Sequence, residues 1–414
     1  MLPVSRRRFL SASVAAGVTP LLARSLFAAD PVKPAPNPIP AANNAFTWDL
    51  YRQLNGKPGN LFFSPLSIEA ALGMTAAGAK GTTLTQMAKA LSLPADTAAA
   101  HAGFKSLFAA VNDEKKPADK RAFELTVANA LWGSATYPWN KAYLALVSAN
   151  YGGGLFHTDF NQPKQARAKI NSWVEGQTKQ RIKDLIPDGV LTPLTRLVLT
   201  NAIYFKAAWL HPFGVDRTKA GPFHLANGKK ADAKLMHQSE RFSYAETDDA
   251  QAVELPYKGG ETSLLVLLPR KADGLPALEK AMTVAWLDAV TKKLRPEKVN
   301  LTLPRFKVET SYDLVPPLKA LGMTDAFDPK LADLSGMHTS METLFISAVL
   351  HKAFCAVDEA GTEAAAATAV VIRATSAVVD TRPPKEFKAD RPFLFAIRHA
   401  RTGTVLFAGK VETV

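Results

Sequence analysis

The sequence predicts an α+β fold built as one body, and three observations carry that reading. Helical patterns dominate the chain up to about residue 122 and strand-like runs dominate after it, without the regular strand–helix alternation of a doubly wound sheet. No long linker divides the chain after residue 43. No segment repeats. The length of 414 residues allows two or three average domains, so the missing linker is what argues for one.

The N-terminus reads as an address. Ser5-Arg6-Arg7-Arg8-Phe9-Leu10 precedes an apolar stretch, Ala12 to Leu22, as in the bacterial twin-arginine export signal. We expect residues 1–29 to be this signal peptide, cut near Ala29, and the mature protein to be periplasmic or secreted. If the cut fails, the segment stays as an anchor. Residues 30–42 are proline-rich and read as an extended linker. The folded body is expected over 43–414.

Phe46, Leu50 and Leu54 recur at helical spacing. Gly56 to Asn60 break that helix. Asn60-Leu61-Phe62-Phe63-Ser64-Pro65-Leu66-Ser67 leads into a second helix through Met74, with Pro65 suited to a first turn. Ser64 and Ser67 are either caps or hydroxyls satisfying a buried polar cluster. Further helices are expected over Thr82–Leu91, Asp96–Val111, Pro138–Tyr151, Ala166–Gln180, Leu275–Leu294 and Leu314–Leu321. Strands are expected over Phe123–Trp132, Leu197–Phe205 and Val299–Val308, several within Phe223–Pro269, and at Phe393–Ile397 and Val405–Val411. Asn201 inside an apolar strand needs a partner, because an unpaired buried amide costs about 1–3 kcal/mol.

Composition excludes several functions. Apolar residues make up 47% and charged residues 21%, as in an ordinary globular protein. The net charge of +13 is spread in short clusters, so a nucleic-acid partner is not expected. No apolar stretch is long enough to span a membrane in the mature form. The single cysteine, Cys355, excludes an internal disulfide and reads as a small buried hydrophobe. There is no G-x-S-x-G, S-x-x-K, H-E-x-x-H or phosphate-loop motif, and the eight histidines are scattered. Neither an enzyme, nor a metal site, nor a cofactor is expected.

One stretch is unusual. After the apolar run Leu344–Val357 come Asp358, Glu359, Ala360, Gly361, Thr362 and Glu363, then Ala364, Ala365, Ala366, Ala367 and Thr368. Four alanines alone favour a short helix or a loop. As a strand, Thr362, Ala364, Ala366 and Thr368 would share one face, and Glu363 would point to solvent on the other. Gly361 suits a hinge.

Together these pieces resemble the serpin family, and specifically a bacterial, exported member with an inhibitory-type hinge. The matching pieces are Asn60–Ser67; Leu199–Lys206 through Trp209 and His211-Pro212-Phe213; His351-Lys352-Ala353 through Glu359 to Ala366; Asp390–Phe395; and Leu406–Val411. The resemblance implies three β-sheets, eight or nine helices and an exposed reactive loop at about 359–384. It implies a suicide inhibitor of serine proteases, with cysteine proteases a second class. The target cuts the loop, forms an acyl-enzyme, and is trapped as the loop inserts into the large sheet. It implies a monomer, prone to polymerise by loop insertion, with the protease as covalent partner. Glu359, Gly361 and Thr362 to Thr368 match the family's hinge. Ser64, Ser67, Asn201 and His351 match the residues that control sheet opening, and Trp209 matches a residue where the loop first enters. The family's loop spacing puts the scissile bond at Thr375–Ser376, pointing to an elastase- or subtilisin-like target, with Arg373–Ala374 as the alternative. A non-inhibitory serpin-fold binding protein is the competing reading.

Overall fold

The first helix begins before the expected boundary. In a computed structural model, which describes residues 36–112, 122–363 and 382–414, α1 spans Ile39–Leu54 rather than starting at Asn43. Pro40 in its first turn gives up only an N–H that has no helical partner. The Asn37 carboxamide accepts from the Ile39 N–H at 3.0 Å and donates to the Gly103 carbonyl at 2.8 Å. The end of the expected linker is therefore helix. Residues 1–29 lie outside the described residues.

Helix α2 (Pro65–Ala76) is buried on every side, as its apolar composition requires. Ser64 caps it, its hydroxyl accepting from the Ser67 N–H at 3.3 Å. Helices α3 (Gly81–Ala90), α4 (Thr97–Val111), α5 (Lys141–Tyr151) and α6 (Pro163–Gln177) follow the expected pattern. The single helix expected over 275–294 is two, α7 (Leu275–Ala281) and α8 (Val284–Lys293). Met282 turns extended, and the Thr283 hydroxyl restarts the helix by accepting from the Trp286 N–H at 3.1 Å. With α9 (Val315–Ala320), the described residues hold nine α-helices.

The strands are β1 (Leu61–Phe63), β2 (Phe123–Ser134), β3 (Gly154–Thr158), β4 (Leu197–Ala208), β5 (Lys219–His224), β6 (Lys230–Glu246), β7 (Ala250–Pro256), β8 (Thr262–Pro269), β9 (Arg295–Pro304), β10 (Phe306–Asp313), β11 (Ile346–Val357), β12 (Gly361–Thr362), β13 (Lys385–Lys388), β14 (Phe393–His399) and β15 (Val405–Val411). The run expected as one strand over 299–308 is two strands in different sheets, broken at Arg305. One sheet has the order β10-β11-β12-β4-β2-β3. The other runs β1-β15-β14-β8-β7-β6-β9-β13, with β5 on β6. The long β6 serves two neighbourhoods: its end pairs with β7, and the rest pairs with β5 and β9. Strands β5, β9 and β13 with that part of β6 form a third, smaller strand set.

Helix α2 lies between the two large sheets. Phe62, just before it, stacks on Phe407 at 5.1 Å and on Phe395 at 5.7 Å. No helix among the described residues is long and apolar enough to cross a membrane.

Candidate functional site

Strands β4 and β11 run side by side in parallel, from Ile346 against Leu197 to Ala353 against Ile203. Beyond that point they part. Strand β12 fills the gap, antiparallel to both, with Thr362 opposite Val357 and Ala207, and Gly361 opposite Ala208. The sheet is closed along one seam and already admits two residues at its open end.

Below the seam, α2 and three strands share one hydrogen-bonded cluster. His351 on β11 and Asn201 on β4 are register partners. The Asn201 Oδ1 can only accept, so the His351 Nδ1 donates to it; the Ser64 N–H can only donate, so Nε2 accepts from it at 3.2 Å. One neutral tautomer is thereby fixed. Burial drives the His351 pKa down to about 3, and the bond to Asn201 opposes that only in part. The Asn201 amide donates to Ser67 Oγ at 2.5 Å and to Asn129 Oδ1. Ser67 Oγ donates to Asn129 Oδ1 at 2.9 Å, and Asn129 returns a bond to the Ser67 carbonyl at 2.9 Å. Ser64 Oγ donates to the Leu406 carbonyl at 2.7 Å, tying the cluster to the other sheet. Ser64, Ser67, Asn201 and His351 are thus brought together. Asn129 belongs with them and was missed; its signal was a carboxamide inside a strand run, as for Asn201.

Trp209 sits apart, at the open end. Its N–H donates to the Ala360 carbonyl at 2.9 Å and its indole N–H to the Asp358 carbonyl at 2.9 Å. Tyr257, also missed, stacks on Trp209 with ring centroids 4.5 Å apart, and its hydroxyl lies 2.6 Å from Thr362 Oγ1. Burial raises the Tyr257 pKa, so it stays a neutral phenol. Asp358 Oδ1 accepts from the N–H groups of Ala360 (2.9 Å) and Gly361 (3.2 Å), which closes the turn into β12. A Cβ on Gly361 would lie 2.0 Å from the Ala207 carbonyl oxygen, so only glycine fits. Glu359 accepts from Arg305 Nε at 2.7 Å and from the Thr218 hydroxyl. Burial pushes its carboxyl up, and those bonds outweigh burial and leave the pKa lowered.

Glu363 departs from expectation. Its side chain does not face solvent; it is 6% exposed and pairs with Arg181 Nε at 3.1 Å. Its φ of 52° is left-handed, so the extended chain stops at Thr362. Ala364 to Thr368 and the bonds at Thr375–Ser376 and Arg373–Ala374 lie outside the described residues. Cys355 is buried, and burial raises its thiol pKa, as suits a packing residue.

A large sheet whose parallel strands β4 and β11 part to admit the two-residue strand β12 is the feature that sorts this fold. Comparison with known proteins gives the family. The model of the serpin (serine protease inhibitor) family matches residues 41–414. The chain is 42% identical to an uncharacterized serpin-like protein of Thermococcus kodakarensis, covering 90% of this chain and 85% of that one. It is 41% identical to leukocyte elastase inhibitor of Equus caballus, covering 91% and 99%. The crystal structure of Serpin48 from Tenebrio molitor matches with a TM-score of 0.82 at 31% identity, over 92% of this chain and all of that one. The chain belongs to the serpin family.

Proposed function

We propose that the protein is a suicide inhibitor of serine proteases. The observation that carries this reading is β12: two residues of the loop already form an antiparallel rung between β4 and β11. The residues that follow, Ala364 to Thr368, are small enough to extend that rung. The protease serine attacks the Thr375 carbonyl, the peptide bond to Ser376 breaks, and the Ser376 amine leaves with a proton. The ester so formed tethers the protease to the cleaved loop. Insertion of the loop as a strand then drags the protease away before water completes hydrolysis. His351 and Asn201 bridge the two strands that must part, so they set the resistance to opening; Trp209 and Tyr257 position the first rung. Kinship to leukocyte elastase inhibitor and the small Thr375 support an elastase- or subtilisin-like target. The twin arginine supports export by that route to the periplasm or the medium.

The test is to mix the protein with elastase, subtilisin and trypsin and run denaturing gels. A covalent band at the summed mass is expected, and mass spectrometry of the released peptide should begin at Ser376. Simple nicking of the loop with no band would overturn the inhibitory reading and favour a binding protein.

A further inference from the structure

A shallow pocket of about 300 Å³ opens on the third strand set. It is lined by Arg217, His237, Ser239, Asn300, Thr302 and Glu386, among others. It lies between the two feet of the loop. Arg217 precedes Thr218, whose hydroxyl holds Glu359 at the first foot. Glu386 is on β13, which starts just after Arg382 at the second foot. The described ends of the loop, Glu359 and Arg382, thus flank the strand set that carries the pocket, which makes it the face we assign to the protease's approach.

Most of the pocket's acceptors bond one another, although Glu386 is exposed and makes no ion pair among the described residues. Ser239 Oγ donates to Asn300 Oδ1 at 2.8 Å, Asn300 Nδ2 donates to Glu386 Oε1, and His237 Nδ1 lies 2.9 Å from Thr302 Oγ1. Arg217, which lines the pocket, and Lys219, two residues further on, are not committed: among the described residues neither makes a side-chain hydrogen bond or ion pair. Lys388 is already paired with Asp390 at 3.0 Å. Burial, with Lys219 and Lys388 nearby, lowers the His237 pKa, so the ring is neutral near pH 7. An exposed guanidinium with five unused donors is suited to a carboxylate.

We propose that this face docks an acidic side chain on the target protease's surface, received by Arg217 with Lys219 beside it, before the loop is cut. The proposal rests on the loop being the protease's point of attack. It assigns these residues to the speed of encounter and leaves trapping to the sheet. Charges of this kind act on association and weaken with salt.

The experiment measures the second-order rate of complex formation by the full chain with whichever of elastase, subtilisin and trypsin it traps, at low and moderate salt. Arg217→Glu and Lys219→Glu are compared with wild type. Each reversal should slow association about tenfold at low salt and flatten its salt dependence, while stoichiometry and melting temperature stay as in wild type. Equal rates and equal salt slopes in wild type and both variants would overturn the proposal. So would a loss explained by raised stoichiometry, because that places Arg217 with the hinge through Thr218. If every protease only nicks the loop, the inhibitory reading fails, and the nicking rate then tests the docking face by the same comparison.

Discussion

His351 is neutral in the fold because burial disfavours the charged ring more than its bond to Asn201 favours it, and one nitrogen must stay an acceptor for the Ser64 N–H. Its pKa is depressed from 6.5 to about 3, so the unfolded chain binds the extra proton first. Stability from this residue is complete above about pH 6.5 and is lost as pH falls toward 3. At pH 5 the loss is about 2 kcal/mol. Urea denaturation from pH 7 to pH 5 should show that slope, and His351→Gln should remove most of it. His351→Ala leaves the Ser64 N–H and the Asn201 carbonyl unpaired, at about 1–3 kcal/mol each. Native gels should then show more loop-inserted or polymerised protein, and an unchanged heat-stability curve would count against the cluster's role. Glu69 on α2 has the opposite sign. It is fully buried, neither carboxylate oxygen has a partner, and burial raises its pKa well above 4.5. Its contribution is whole below about pH 4.5 and is lost as pH rises through the raised value. Glu69→Gln should therefore be the more stable protein at pH 7, by a margin that vanishes below about pH 4.5 in the same denaturation assay.

Strand β12 stops at Thr362 because Glu363 is left-handed, at about 1–2 kcal/mol for a side chain with a Cβ. The Arg181 pair helps hold it there, and Arg181 is half exposed, so the pair is worth about 0–1 kcal/mol. Arg181→Ala should speed spontaneous insertion of the uncut loop by up to about fivefold, read as loss of inhibitory capacity over time at constant temperature. Sequence alone could not have shown this stop. Glu363 was placed on the solvent face by strand parity, and parity holds only while the chain stays extended. The elements that did show through are long and strongly patterned: α2, β2, β4, β11, β14 and β15. Those that did not are short. Strands β1, β3 and β13 have three to five residues each and take their form from a neighbour's edge. The break at Arg305 follows from where the chain changes sheet, which no local periodicity encodes. Of the candidate site, the residues bearing an odd chemistry for their run, Asn201 and His351, were visible. Asn129 carried the same signal as Asn201, whereas Tyr257 and Arg305 acquire meaning only from what they touch across the fold.

At the scale of the whole molecule, the proposed trapping mechanism raises the question of what would drive the loop in. Each inserted residue gains ladder bonds at about 0.5–1.5 kcal/mol net and pays about 1–2 kcal/mol to order its backbone. Those terms nearly cancel. The drive must come from what insertion changes around the loop: the parallel seam between β4 and β11 is exchanged for two antiparallel ones of the kind β12 already makes, and new side chains pack between them. The uncut loop is held at both feet, by Glu359 on Arg305 at one end and by β13 on β9 at the other. Cutting frees the loop from one foot, so insertion should be much faster after cleavage than in the uncut chain. Protein clipped within 364–381 should then melt well above intact protein by calorimetry. Ala366→Arg supplies the control. As a strand continuing β12, residue 366 falls on the face of Thr362, which is buried against Tyr257, and a charged side chain there must be desolvated unpaired for insertion to proceed. The clipped Ala366→Arg protein should melt no higher than its intact form and should release protease as a substrate does. If wild type and the variant gain equally on clipping, the added stability comes from losing the loop's constraint and not from a new strand.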